Sequence, residues 1–160
     1  MTGGDAMTAS DDQARLRELI ERVTDALGLA AARVEVTEDD ETLTGVVHAD
    51  DLGLFIGRHG QTIDAVQHLA QRILAAGEPG RRVVIDAEGY RARRAAALTG
   101  QADDAAAEAL RNGRPVALDA MVASERKLVH EHLRERGDVE TWSEGDEPDR
   151  HLVIAPAKGS

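Results

Sequence analysis

The stretch LFIGRHGQTIDAVQHL, residues 54–69, sets three apolar side chains against a short break and then an amphipathic run. Gly57 and Gly60 bracket Arg58 and His59, so the chain can turn tightly and let an external backbone come close. Beyond the break, Ile63, Val66, Leu69, Ala70, Ile73 and Leu74 are spaced by three and four, which predicts a helix starting directly after Gly60 and running to about Gly77. Such a helix turns its positive dipole end and its first unpaired N–H groups towards the loop, an arrangement that favours phosphate. Arg58 and His59 add side-chain donors, the first permanently charged. On the far side, Ile56, Ile63 and Val66 are expected to border an apolar groove for bases. A glycine pair before a helix is also common as a plain turn, so the surroundings have to decide.

Upstream, Leu16, Leu19, Ile20, Val23 and Leu27 fall on one helical face, and a helix is expected from Asp11 to about Leu27. Residues 32–38 and 42–50 are β-rich and joined by an acidic turn, which reads as an antiparallel hairpin. Downstream, residues 78–80 (EPG) end the second helix and 81–88 form a third strand. The first module therefore reads helix, strand, strand, glycine loop, helix, strand. Residues 90–112 then predict an alanine-rich helix with Gly100 as a point of interruption and Gly113 as its stop. A short strand over 114–119 ends in Asp119, a helix cap, and a helix follows to about Arg136. Residues 138–156 give two strands around a polar loop containing Gly145 and Pro148. The second module reads helix, strand, helix, hairpin. The fold class is α+β in two small modules, 11–88 and 89–157, after a disordered tail over 1–10.

The 160 residues leave room for one ordinary domain or two small ones. No apolar run approaches the ~20 residues of a membrane span. The first ten residues lack the basic start and apolar middle of a secretory signal, so the expected location is cytoplasmic. Cysteine is absent, which removes disulfides, thiolate zinc sites, iron–sulfur clusters and cysteine nucleophiles. The net charge of -11 argues against a nucleic-acid partner until its distribution is read. Residues 1–51 hold 13 acids and 4 bases, residues 101–160 hold 13 and 8, and residues 52–100 hold 4 and 7. The glycine loop lies in the only positive third. Phe55, Tyr90 and Trp142 are the only aromatic residues, too few for the stacking platforms of RNA-recognition-motif or OB-fold binders.

A second basic feature lies in ASERKLVHEHLRER, residues 123–136. Arg126, His130 and Arg134 step along one helical ridge beside the apolar Val122, Val129 and Leu133. Arginine and histidine so placed can both donate to phosphate oxygens. The alternative is a solvated face laced with ion pairs, in which Glu131 pairs with Lys127 or Arg134. At those spacings Arg126 has only Val122, Ala123, Val129 and His130, which leaves its charge free. Arg91, Arg93 and Arg94 at the junction either extend a phosphate track or pair with Asp86, Glu88 and the acidic helix that follows. His48, His68, His132 and His151 show no ligand spacing, and there is no HExxH.

The element order over residues 12–88, with IGRHGQTIDAVQ at its centre, resembles the bacterial type II KH domain. Residues 90–156, with ERKLVHEHL and DVETWSEGDEPDRHLVIAP, are similar to the R-3-H domain, named for an arginine and a histidine separated by three residues. A KH module followed by an R-3-H module resembles the bacterial Jag (KhpB) family of RNA-binding proteins. The resemblance implies a non-enzymatic protein that binds single-stranded RNA, with single-stranded DNA as an alternative ligand. It implies a groove that clamps about four nucleotides at the glycine loop. The nucleic-acid-binding residues it implies are Ile56, Gly57, Arg58, His59, Gly60, Gln61 and Ile63 in the first module. In the second they are Arg126, His130 and Arg134, with Arg91 and Arg94 at the junction. No catalytic residue, metal ligand or cofactor is expected. The family also implies a second, smaller KH protein as partner, chaperone-like post-transcriptional control, and a link to cell growth, division and shape. Many relatives carry a further N-terminal domain, whereas only an acidic tail and the first helix are expected to precede this KH region. Two other readings compete: a phosphodiesterase using His59 or His130, and a protein-interaction scaffold in which the loop is a relic.

Overall fold

The first helix starts earlier than its apolar pattern predicts: α1 spans Asp5–Ala26 in the computed structural model, which describes residues 5–74 and 81–159. Ala6, Met7 and Ala9 are good helix formers, and an acid at the first position suits a helix N-terminus. The expected tail over 1–10 is thereby corrected for residues 5–10, and 1–4 lie outside the described residues. The predicted hairpin is present, with β1 (Arg33–Glu38) antiparallel to β2 (Thr42–His48) from Arg33 opposite His48 to Glu38 opposite Leu43. Asp39 builds the turn: its Oδ1 accepts the N–H groups of Glu41 at 3.0 Å and Thr42 at 2.8 Å, as turn-forming aspartates do.

After β2 comes α2 (Gly53–Ile56), a single turn that the apolar tripeptide did not predict, and then α3 (Gln61–Leu74) and β3 (Arg82–Ala87). The predicted end of α3 near Gly77 and the EPG segment lie outside the described residues. β3 runs parallel to β2, in the order β1-β2-β3. The helices reach the core through Leu16 and Ile20 of α1, Phe55 of α2, and Ile63, Val66, Ala70 and Leu74 of α3, which meet Leu43, Val47, Val83 and Ile85 of the sheet. Each fully buried Leu, Ile or Phe side chain contributes about 1.5–3 kcal/mol. β3 is an edge strand, and α3 covers that edge with two glutamines. Gln71 Oε1 accepts the Val83 N–H at 2.7 Å, its Nε2 donates to the Arg81 carbonyl at 2.8 Å, and Gln67 Oε1 accepts the Ile85 N–H at 2.9 Å. Backbone groups that would otherwise invite another strand are thus satisfied.

The chain divides into two units between Tyr90 and Arg91. In the second, α4 (Tyr90–Asn112) supplies Leu98, Ala102, Ala105 and Ala106, and α5 (Ala123–Arg134) supplies Val129 and Leu133, to a core closed by Leu152 and Ile154. The strands β4 (Val116–Ala117), β5 (Val139–Glu144) and β6 (His151–Pro156) form an antiparallel sheet in the order β4-β6-β5. Asp119 does not cap α5. The chain continues beside β6 instead, with the Leu118 and Met121 N–H groups donating to the Leu152 and Arg150 carbonyls at 2.9 and 3.1 Å. The cap falls to Val122, which has no capping side chain. After α5, Arg136 forks onto Asp138 through two bonds of 3.0 Å, and these hold the Asp138 carboxyl below its usual range. Stability from this exposed pair is present at neutral pH and is lost as pH falls through the lowered value.

α4 runs unbroken through Gly100, which is exposed and would place an added Cβ in open space. Gly100→Ala is therefore expected to stabilise the protein by about 0.5–1 kcal/mol, read as a raised midpoint in urea unfolding.

Candidate nucleic-acid interface

The glycine loop is built by three backbone positions outside the right-handed region. The Gly57 N–H closes α2 by donating to the Gly53 carbonyl at 2.8 Å. Gly57 itself takes φ 73° and ψ 177°, a region open in practice only to glycine. A Cβ there would collide with Thr62 Oγ1 and lie 2.8 Å from the Thr62 backbone nitrogen. His59 is left-handed at φ 55° and ψ 24°, and Gly60 follows at φ 78°. Tyr90 closes the loop from behind, its hydroxyl oxygen 3.1 Å from where a Gly60 Cβ would sit.

Two of the donors expected to be open at the start of α3 turn inward. The Gly60 N–H donates to the Gly57 carbonyl at 3.3 Å and the Gln61 N–H to the Arg58 carbonyl, because the 3₁₀ turn Arg58–Gly60 tightens the entry to α3. The positive dipole end remains, and so does Arg58, which is exposed and whose side chain has no hydrogen bond or ion pair among the described residues. His59 lies beside it, half-buried. Holding a non-glycine residue left-handed costs about 1 kcal/mol or more, and such strain collects where a side chain is used. His59→Gly is expected to raise stability by about 1 kcal/mol in urea unfolding while weakening nucleic-acid binding.

In the second unit, a groove of about 430 Å³ is lined by Arg126, Lys127 and His130 of α5, Thr141 and Ser143 of β5, and Arg150. His130 Nδ1 lies 2.5 Å from Thr141 Oγ1. A Thr141 hydroxyl donating to Nδ1 leaves the neutral ring's proton on Nε2, a donor for a phosphate oxygen. Arg150 is held by its Nη1 donating to the Gly145 carbonyl at 2.7 Å. Arg126 is not free, contrary to its helical neighbours. Its Nη1 donates to the Met121 carbonyl and its Nη2 to Glu147 Oε1, both at 2.7 Å. Glu147 lies 21 residues away and arrives with the loop before β6, so spacing along α5 carried no sign of it.

Both units match known domains, in the order their geometry presents. The family model of the KhpA/KhpB KH domain matches residues 17–86, and that of the R-3-H domain matches residues 96–156. The chain pairs a KhpA/KhpB-type KH domain with an R-3-H domain. It is 35% identical over 140 residues to the RNA-binding protein KhpB of Clostridium symbiosum, covering 86% of this chain and 63% of that protein. It is 45% identical over 107 residues to the RNA-binding protein KhpB of Lactiplantibacillus plantarum (66% and 33%), and 34% identical over 126 residues to that of Bacillus subtilis (76% and 60%). The chain thus spans less than two thirds of the length of these relatives.

Within the KH domain, Gly57, Arg58, His59, Gly60 and the exposed Gln61 come together on one loop. Ile63 does not join them. It has no exposed surface and, with Val66, Ala70 and Leu74, forms the face of α3 turned to the core. The apolar surface at the loop is Ile56 together with Leu54, which is 64% exposed and which the pattern reading passed over. Leu69 and Ile73, expected inside, lie on the exposed side of α3. Within the R-3-H domain, Arg134 is exposed and has no partner among the described residues, while Glu131 takes Lys127 at 3.9 Å. Arg94 is paired within the chain: its Nε and Nη2 fork onto the buried Glu125 at 2.7 and 3.3 Å, neutralising a carboxylate that could not stay buried alone. Arg91 and Arg93 each have an interaction within the chain. Trp142 donates its indole N–H to Glu144 Oε1 at 2.7 Å, and Phe55 is wholly buried. Arg150, Thr141 and Ser143 were missed because they reach the groove only through the pairing of β5 with β6, in which Ser143 faces Leu152.

Among the described residues, no three His, Asp or Glu side chains converge as a metal site, and no helix is long and apolar enough to cross a membrane.

Proposed function

We propose that this chain binds single-stranded RNA without cleaving it, through two phosphate contacts: Arg58 and His59 on the KH loop, and the Arg126, His130 and Arg150 groove of the R-3-H domain. The observation that carries the reading is the KH loop, where Arg58 stands exposed, its side chain unpaired among the described residues, at the positive end of α3. Leu54 and Ile56 provide the apolar side for bases. The KhpB relatives named as RNA-binding proteins support the same ligand. Each contact is weak alone, and tethering raises the local concentration of the second once the first is made. We place the protein in the cytoplasm, in post-transcriptional control linked to cell growth and division, with a second, smaller KH protein as partner.

The test is NMR shift mapping of the labelled chain with a short single-stranded RNA and magnesium present. Shifts concentrated at Arg58, His59, His130 and Arg150, with RNA recovered intact, are expected. Shifts confined to other surfaces would favour the scaffold reading, and shortened RNA would favour the phosphodiesterase.

A further inference from the structure

The contact between Arg126 and Glu147 has a chemistry that bears on when the R-3-H groove can bind. Arg126 presents its guanidinium to a groove with two further cations, Lys127 and Arg150, and with His130. This is where a phosphate would be held, yet the outer nitrogen of Arg126 already carries a carboxylate, Glu147 Oε1 at 2.7 Å. The two partners are held very differently. The Arg126 side chain is 11% exposed and is fixed a second time by the Met121 carbonyl, whereas the Glu147 side chain is 58% exposed. Losing Glu147 therefore leaves the guanidinium in place and returns an exposed carboxylate to water at little cost. Glu147 also belongs to a segment, residues 144–149, with four acids and no base, so the displaced group is part of a negative loop beside a positive groove.

We propose that Glu147 is an internal competitor for phosphate: it occupies the Arg126 Nη2 in the free protein and must be displaced before the R-3-H groove grips RNA. This rests on the phosphate-binding role given to that groove above. The carboxylate takes one bond from Arg126, while phosphates entering the groove meet Lys127, Arg150 and His130 along its lining as well, so the exchange favours a strand already delivered by the KH loop. The groove then resists stray anions and closes on a tethered strand.

The experiment uses the full chain with Glu147→Gln and Glu147→Ala, each checked for an unchanged thermal midpoint, and two probes, a short single-stranded RNA and inorganic tripolyphosphate. Both variants are expected to bind RNA about two- to tenfold more tightly, to shift the His130 resonance at lower tripolyphosphate concentration, and to lose the gain when Arg126→Ala is added. Equal or weaker binding of both probes by both variants overturns the proposal, since Glu147 then merely orients Arg126. If RNA binds the parent normally and only the gain is missing, the competitor fails and the RNA reading stands. If RNA does not bind but tripolyphosphate binds the variants more tightly, the competitor stands and the RNA reading fails. Binding of neither probe overturns both.

Discussion

Gly57→Ala is expected to destabilise the protein by about 3 kcal/mol or more, the sum of a backbone region that non-glycine residues occupy at a cost of ~1–3 kcal/mol and an overpacked contact of similar size. The collision has two components, with the Thr62 side chain and with its backbone nitrogen at 2.8 Å. Thr62→Ala removes the hydroxyl but keeps the Cβ, which also lies 2.8 Å from the added carbon, so the Gly57→Ala/Thr62→Ala pair is expected to recover only part of the loss. Urea unfolding of the four proteins gives the cycle directly. A loss below about 1 kcal/mol would mean that the loop adopts another conformation with equal ease. The same variant should lose RNA binding, because Arg58 and His59 are presented by the fold of the loop that the substitution disrupts.

The double substitution Arg58→Asp with His59→Asp acts on binding without touching the core. A hydrogen bond to a charged group contributes about 1.5–3 kcal/mol, and reversing the charge adds repulsion. A loss of 2–3 kcal/mol corresponds to roughly 30- to 150-fold weaker binding at low salt, measured by filter binding. Aspartate tolerates the left-handed region better than most residues, and Arg58 is exposed. The melting temperature is therefore expected to stay within a few degrees of the parent. Unchanged affinity in a folded double variant would take the KH loop out of the interface.

What was legible in the sequence were the features carried by local periodicity and backbone chemistry. The helix of Ile63, Val66, Ala70 and Leu74, the hairpin turned by Asp39 and the glycine loop all follow from neighbours within a few residues. What stayed hidden depended on partners far along the chain. Arg126 seemed free because its restraint comes from Glu147, Arg94 seemed available because Glu125 is 31 residues away, and Arg150 became a groove residue only through the β5–β6 pairing. Leu69 and Ile73 show the limit of periodicity itself. Apolar residues covered more of the α3 circumference than one core contact can bury, and spacing alone does not say which side is left exposed. Ile63 was placed at the ligand for the same reason, since closeness to the loop in sequence said nothing of the direction of its side chain.

The central claim is that two basic sites on an acidic chain hold the phosphates of one single strand. Its most direct test is fluorescence-anisotropy binding of a short single-stranded RNA over a salt series, with the Arg58/His59 double aspartate and Arg126→Ala/His130→Ala beside the parent. Each phosphate contact removed should make the dependence of log affinity on log salt shallower by about 0.7, the single-strand value. We predict steep salt dependence in the parent and a shallower slope with weaker binding in both variants. No binding by the parent at low salt, or slopes equal in all three proteins, would contradict the account.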